Sequence, residues 1–200
     1  SEDPTATSTS RTITWVVTDA NSESLGAQSS SGVTSTITIT AINDVPVATA
    51  GGTLSYTENA SAAVIDNTIA ISSDPDDTQL SGATATISSN FTTGDVLALA
   101  TQFGISGSYN SSTGVLTVSG TATLANYQTA LRSITFNSTS EDPTATSTSR
   151  TITWVVTDAN SESLGAQSSS GVTSTITITA INDPPVATAG GPALSYTENG

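Results

Sequence analysis

Apolar and polar residues alternate along short runs of this chain, a pattern typical of strands that bury one face and expose the other. In the clearest run, residues 151–156, the side chains of Ile152, Trp154 and Val156 fall on one side. Thr fills many of the intervening positions, and β-branched residues favour strands. Turn-forming residues separate the runs, so the pattern predicts an all-β protein, an antiparallel β-sandwich of short strands.

The predicted strands follow one another with a single interruption. They cover residues 54–59, 63–72, 83–87, 96–99, 115–118, 134–136, 151–156 and 173–181. Residues 121–131 break the alternation, because Leu124, Tyr127 and Leu131 share one face at helical spacing. A preceding Thr can cap this segment. We therefore expect one short helix among the strands.

The sequence is also internally repeated. Residues 1–44 recur unchanged as residues 140–183, an offset of 139, and the match continues with a one-residue shift to Asn59 and Asn199. A period of this length suits a string of whole domains. We expect residues 1–44 to be the C-terminal part of a preceding repeat, residues 45–183 a complete repeat, and residues 184–200 the start of the next.

Composition narrows the range of partners. The chain has 3 basic and 17 acidic residues, a net charge of −14, and no His or Cys. This charge argues against nucleic acid and anionic membranes, since phosphate would be repelled. The absence of Cys excludes disulfides and thiolate chemistry. No stretch approaches the roughly 20 consecutive apolar residues of a membrane span, so no direct membrane insertion is expected.

The acidic and amide side chains gather at the predicted strand ends and at the joints between repeats. They are Asn43, Asp44, Glu58, Asp74, Asp76, Asp77, Glu141, Asp142, Asp158, Asn182 and Asp183. Strand ends of a sandwich collect at two poles, so several could meet beside a joint. Such a set suits Ca²⁺, which takes about 6–8 oxygen ligands, and disfavours zinc or copper. The alternative is that they are solvated turn residues, as we expect for Asp66 and Asp95.

Five segments, in order, resemble motifs of cadherin repeats. They are Thr57-Glu58-Asn59 against Pro-Glu-Asn, Asp74-Pro75-Asp76-Asp77 against Asp-x-Asp, Thr113-Gly114-Val115-Leu116 against Thr-Gly-x-Ile, Val155-Val156-Thr157-Asp158 against Val-x-Ala-Thr-Asp, and Asn182-Asp183-Pro184-Pro185 against the linker Asp-x-Asn-Asp-x-x-Pro. Each match is weak alone, but together they span the repeat. It is similar to the bacterial cadherin-like tandem repeats of large secreted, calcium-dependent (RTX-type) adhesins.

The resemblance implies a Greek-key sandwich, an extracellular or cell-surface location, and calcium at each joint. It carries ligand roles to Glu58, Asp74, Asp76, Asp158, Asn182 and Asp183, and by repetition to Asp19, Asn43, Asp44 and Glu198. Two features depart from the family. Ala41 and Ala180 stand where the linker motif has its first Asp, and no Asp-Arg-Glu motif is present, a gap that Glu141 and Asp142 could fill. We therefore expect the joint residues to share one site with Glu58, Asp74, Asp76 and Asp158, with fewer calcium ions per joint than in animal cadherins.

These observations predict a structural extender repeat of a giant surface adhesin, stiffened by Ca²⁺ and partnered by neighbouring repeats of the same chain. One alternative is a self-assembling filament or sheath, in which like molecules pack through Thr-rich, uncharged faces. Another is a glycan- or ice-binding module that uses the Thr ladder of residues 34–40. A single ladder is more often an exposed sheet face.

We do not expect an enzyme. Aromatic residues make up 4% of the chain, too few for a carbohydrate platform, and both Trp15 and Trp154 alternate with apolar residues as core positions do. No His is available as a general base, and no nucleophile motif is present. Glycosylation sequons begin at Asn59, Asn90, Asn110 and Asn137. Chance produces such matches in a Ser- and Thr-rich chain, so they matter only where the host glycosylates.

Overall fold

A computed structural model describes residues 5, 8–161, 163–185, 187, 190–191 and 198. Within them the chain forms thirteen strands and one helix. The elements are β1 (Ser10–Trp15), β2 (Val33–Thr38), β3 (Val47–Thr49), β4 (Thr53–Thr57), β5 (Ala63–Val64), β6 (Ala70–Ser73), β7 (Gln79–Ser89), β8 (Asp95–Ala98), β9 (Ser106–Asn110), β10 (Val115–Thr123), α1 (Leu124–Leu131), β11 (Thr135–Ser138), β12 (Ser149–Asp158) and β13 (Val172–Thr179).

The strands from β3 onward build a sandwich, as the sequence predicts. A six-stranded sheet has the order β4-β13-β12-β7-β10-β9, and a three-stranded sheet β5-β11-β8 and the pair β3-β6 accompany it. Alternate residues of the longer strands enter one core, where Trp154, Tyr56 and Phe136 are fully buried. The ring of Tyr56 meets that of Phe136 edge-on, with centroids 5.1 Å apart.

One strand pair departs from the antiparallel expectation. β4 and β13 run parallel, in the register Thr53↔Thr175 to Thr57↔Thr179. The chain enters the sandwich at one pole through β4 and leaves at the other through β13. A unit whose two ends lie at opposite poles requires its first and last long strands to run in the same direction.

The predicted helix is confirmed. α1 begins after Thr123, whose side chain accepts a hydrogen bond from the backbone N–H of Asn126. This contact satisfies one of the N–H groups that the first helical turn leaves without a partner. The buried face consists of Tyr127, Ala130 and Leu131, close to the spacing that the sequence indicates.

Residues 63–72 do not form the single strand that the sequence predicts, because Asp66 turns the chain between β5 and β6. Its buried carboxylate accepts hydrogen bonds from the backbone of Gly51, Gly52 and Thr68 and from the hydroxyls of Thr68 and Ser174. Burial by itself would raise the pKa of Asp66, but these hydrogen bonds hold the pKa well below its usual range. The interpretation of Asp66 as an ordinary turn or surface acid is wrong.

The same correction applies to Asp95. Its carboxylate is 1% exposed and accepts a hydrogen bond from Nε of the fully buried Arg150 at 2.6 Å. The guanidinium also donates to the carbonyl oxygens of Pro143, Ser147 and Ser149. Asp95 therefore belongs to a buried ion pair that joins the segment before β12 to the start of β8.

The β1–β2 hairpin has the same sequence as β12–β13 but a different environment. Its pairing from Ser10↔Thr38 to Trp15↔Val33 reproduces the pairing from Ser149↔Thr177 to Trp154↔Val172. Trp15 is 55% exposed, whereas Trp154 is 1% exposed. The expected core role holds for Trp154 and is wrong for Trp15, because β7 and β4 flank only the second hairpin. The division into repeats remains a prediction.

Candidate metal centre

The sandwich has two poles, and the candidate ligands are distributed between them. We call the end where β12 finishes and β13 begins the upper pole, and the end where β4 and β13 finish the lower pole. β13 has 8 residues, so the poles are separated by about 25 Å at roughly 3.3 Å per residue. A single ion cannot contact both.

Three carboxylates meet at the upper pole. Asp74, Asp77 and Asp158 each offer an oxygen, and these atoms lie within 4.8 Å of one another. Asp158 ends β12, and the turn after β6 carries Asp74 and Asp77. Asp158 and Asp77 are 0% and 3% exposed. Buried charges are costly unless they are paired or coordinate a metal.

The linker residues 43–44 bind directly to this cluster. Nδ2 of Asn43 donates to Oδ2 of Asp158 at 3.0 Å and to the carbonyl oxygen of Gly165 at 2.7 Å. The backbone N–H of Asp44 donates to Oδ2 of Asp76 at 2.8 Å. The joint and the acidic turn are therefore one structural unit, held by hydrogen bonds to carboxylates.

Several oxygens of this unit lack a donor. Both carboxylate oxygens of Asp74, Oδ1 of Asp76 and Oδ1 of Asn43 are buried without a hydrogen-bond partner. Buried polar atoms are nearly always satisfied, and four acceptors without donors at one place call for an explanation. Burial, with the neighbouring carboxylate of Asp76, raises the pKa of Asp74 to about 7. An all-oxygen set of this kind fits a hard cation such as Ca²⁺.

Glu58 lies at the lower pole. It follows β4, and its backbone N–H donates to the carbonyl oxygen of Thr179. Oε2 accepts a hydrogen bond from the backbone N–H of Ile181 at 2.7 Å, and Oε1 is buried without a partner. The expectation that Glu58 shares one site with Asp74, Asp76 and Asp158 is wrong, because the parallel pairing of β4 with β13 carries Glu58 to the other pole, beside exposed Asn182 and Asp183.

The remaining predicted ligands stay outside the cluster. Asp19 is exposed on the turn beyond β1, where its Oδ1 accepts from the backbone N–H of Asn21. Glu141 and Asp142 are exposed between β11 and β12, and the hydroxyl of Thr144 donates to Asp142. Glu198 is also exposed, and residues 192–197 beside it lie outside the described part of the chain.

Residues 159–161 and 163–167 lie at the upper pole, and the sequence motifs do not predict this contribution. The backbone N–H groups of Asn160 and Gln167 donate to Asp158, and that of Ser161 donates to Asp77. Asn160 and Ser163 have φ of 57° and 58°. Asn160, the one Asn of this loop, was the available signal, since Asn tolerates the left-handed region better than most residues.

Without divalent cations, the free energy of unfolding should fall as the pH rises from about 4 to about 8. The folded pKa of Asp74, about 7, lies above the ordinary value of 3.8. The folded chain therefore binds more protons than the unfolded chain between these values. Urea unfolding in EDTA at several pH values measures how the free energy of unfolding depends on pH. Asp74→Asn should flatten this dependence, and an unchanged dependence would contradict the assignment of the raised pKa to Asp74. Asp66 acts in the opposite direction, with stability lost as the pH falls below about 4.

The fold and the site define a β-sandwich with an acidic pole bound to the linker that precedes it. No family model matches the chain. Over 109 residues, 52% of the chain, it is 37% identical to halomucin of Haloquadratum walsbyi (strain DSM 16790 / HBSQ001), and it spans 1% of that protein. The extracellular cadherin domains 3–6 of protocadherin gamma B2 align with 86% of this chain and 32% of that chain, at a TM-score of 0.36 and 15% identity. A TM-score of 0.36 is too low to support an argument from that structure. The β-sandwich is therefore assigned from the strand pairings of this chain. In the described residues no helix is long and apolar enough to cross a membrane.

Proposed function

We propose that this chain is an extender segment of an extracellular surface protein, in which Ca²⁺ at each joint holds successive repeats in line. The observation that carries the proposal is the group of buried, donor-free oxygens on Asn43, Asp74 and Asp76. They lie where the linker joins the sandwich. A cation there would contact both the linker and the sandwich, and would replace carboxylate repulsion with attraction.

Each joint would take its metal ligands from two successive repeats. Because residues 140–183 repeat residues 1–44, Asn182 and Asp183 stand before the next repeat as Asn43 and Asp44 stand before the acidic turn. Glu58, with its donor-free Oε1, would then serve the joint at residues 182–183. The proposed unit is residues 45–183, with ligands for a different joint at each pole.

The similarity to halomucin supports a place in a long extracellular protein. The matched segment spans 1% of halomucin, so the relative is many times longer than this chain. Internal repetition and the net charge of −14 are what a solvated, multi-repeat spacer requires, since charge keeps such a protein soluble. The role we propose is mechanical and non-catalytic.

Hydrogen exchange at the linker tests the proposal directly. The amide of Asp44 donates to Asp76, so fixing the acidic turn with Ca²⁺ should slow exchange across residues 41–46, and EDTA should restore it. Titration calorimetry on the same sample measures binding. Absence of binding would overturn the calcium site. Binding that leaves exchange unchanged would retain the site and overturn the stiffening role.

One observation favours lateral assembly into a filament or sheath as a second function. The outward-facing hydroxyls form rows across neighbouring strands, such as Thr53, Thr175, Thr151 and Ser89 on β4, β13, β12 and β7. The charged residues of this sheet, Arg150 and Asp158, are buried on its other side. Sedimentation of the exchange samples separates the two functions, because isolated particles support the extender and ordered bundles support the sheath.

A further inference from the structure

The tip of the β9–β10 hairpin carries an exposed Asn side chain whose Nδ2 group makes no hydrogen bond to a described residue. Asn110 ends β9 and is exposed, and its Oδ1 accepts a hydrogen bond from the backbone N–H of Ser112 at 2.9 Å. This Asx turn fixes the orientation of the amide. No described residue accepts a hydrogen bond from Nδ2 of Asn110, and the Ser112 side chain is likewise exposed. The sequon Asn110-Ser111-Ser112 thus has both of its reactive side chains open to solvent.

The other three sequons are less suited to modification. Asn137 is half-buried in β11, a strand paired on both sides by β5 and β8. At Asn90 the sequon hydroxyl, that of Thr92, donates to the Asn90 carbonyl oxygen. Asn59 directly follows Glu58, so a bulky group there would stand in the lower-pole joint. Of the four, Asn110 alone combines exposure, an open hydroxyl and distance from the joint.

The position of Asn110 also suggests what a modification would do. β9 is the last strand of the six-stranded sheet, five strands from β4, or about 24 Å at 4.8 Å per strand. Its sequence, Ser-Gly-Ser-Tyr-Asn, contains no charged residue and no Pro, the usual devices that prevent an exposed edge from pairing with another chain. Asn110 ends β9 at the same pole as Glu58 but at the opposite side of the sheet, so a bulky, solvated group there would cover the end of the β9 edge.

We propose that Asn110 is an N-glycan attachment site and that its glycan protects the β9 edge, a proposal that rests on the extracellular location proposed above. The co-reactant is a sugar linked through phosphate to a polyprenyl lipid. Nδ2 of Asn110 forms a C–N bond to the anomeric carbon, and the bond from that carbon to the phosphate oxygen breaks. The lipid phosphate leaves with the electron pair, and one amide proton passes to solvent.

The test is secretion of the full chain from a host with an oligosaccharyltransferase, followed by glycopeptide mass spectrometry. The peptide that contains Asn110 should carry a glycan in the parent chain, lose it in Asn110→Gln and Ser112→Ala, and keep it in the control Asn137→Gln. A C-terminal peptide with a well-used sequon reports that the host machinery reached the chain. A modified reporter beside an unmodified Asn110 would overturn the proposal.

Sedimentation separates the site from its role. The unglycosylated Ser112→Ala chain should self-associate more than the glycosylated parent, because its β9 edge is uncovered. Equal association would overturn the protective role and keep the attachment site. Chain made without glycosylation still serves for the calcium titration, so failure of this inference and failure of the calcium proposal are distinguishable.

Discussion

Arg150→Met should lower the free energy of unfolding by about 3–5 kcal/mol, because it leaves the carboxylate of Asp95 buried without its partner. Both side chains are 0% exposed. Oδ1 of Asp95 already lacks a hydrogen bond, so loss of Arg150 leaves this carboxylate with few remaining donors. The loss should appear as a lower urea midpoint with an unchanged slope.

The chain contains its own control for this experiment. Arg11 occupies the same local sequence as Arg150, but it is exposed and donates to the carbonyl oxygens of Ser8 and Ser10. Arg11→Met should therefore change stability by no more than about 0.5 kcal/mol. A double variant, Arg150→Met with Asp95→Leu, should recover much of the loss, since replacing both members of a buried pair is often nearly neutral. Equal effects at Arg11 and Arg150 would contradict the assignment of the pair.

Saturating Ca²⁺ should raise the melting temperature by about 5–10 °C relative to EDTA. A ligand at about 100 times its dissociation constant stabilises the folded state by about 2.7 kcal/mol. For a chain of this size each kcal/mol corresponds to roughly 2–4 °C. The physical cause is the set of donor-free oxygens at the upper pole, which a cation would satisfy. Scanning calorimetry in Ca²⁺ and in EDTA measures the shift.

Asp74→Asn should remove most of this shift, while Asp19→Asn should leave it intact. Both oxygens of Asp74 are buried without a geometric hydrogen-bond partner, so the change removes a ligand charge from the cluster. Asp19 repeats the sequence position of Asp158 on the exposed hairpin, where no described carboxylate joins it in a cluster. If both variants lose the shift equally, Ca²⁺ acts through general charge screening.

Local sequence information was sufficient to predict the elements that depend on residues close together in the chain. The alternation of Ile and Thr defines the pairing of β12 with β13, and the identical residues 10–38 pair in the same register even though they are exposed. The spacing of Leu124, Tyr127 and Leu131 defined α1 because a helix brings residues three and four apart onto one face. The acidic turn at residues 74–77 and the linker at residues 43–44 were also recognisable, since their motifs are contiguous.

The assignment of each acidic residue to one pole or the other required the tertiary structure. Glu58 and Asp74 are 16 positions apart in the sequence, yet they lie at opposite ends of the sandwich. The parallel pairing of β4 with β13 decides this, and strand direction is not encoded in the alternation of a single strand. The prediction of one site around the joint is therefore wrong in placing Glu58 with Asp74, because the strand directions decide which acids lie together.

The sequence alone determined that this chain is all-β, internally repeated and strongly acidic, because periodicity, repetition and charge are properties of consecutive residues. Only the tertiary structure decided which acids are structural. Asp66 meets Ser174, 108 positions away, and Asp95 meets Arg150, 55 positions away. Burial, pairing and the position of a strand at an edge all depend on which distant segments come together, and that information is carried by the whole fold and not by any single stretch of it.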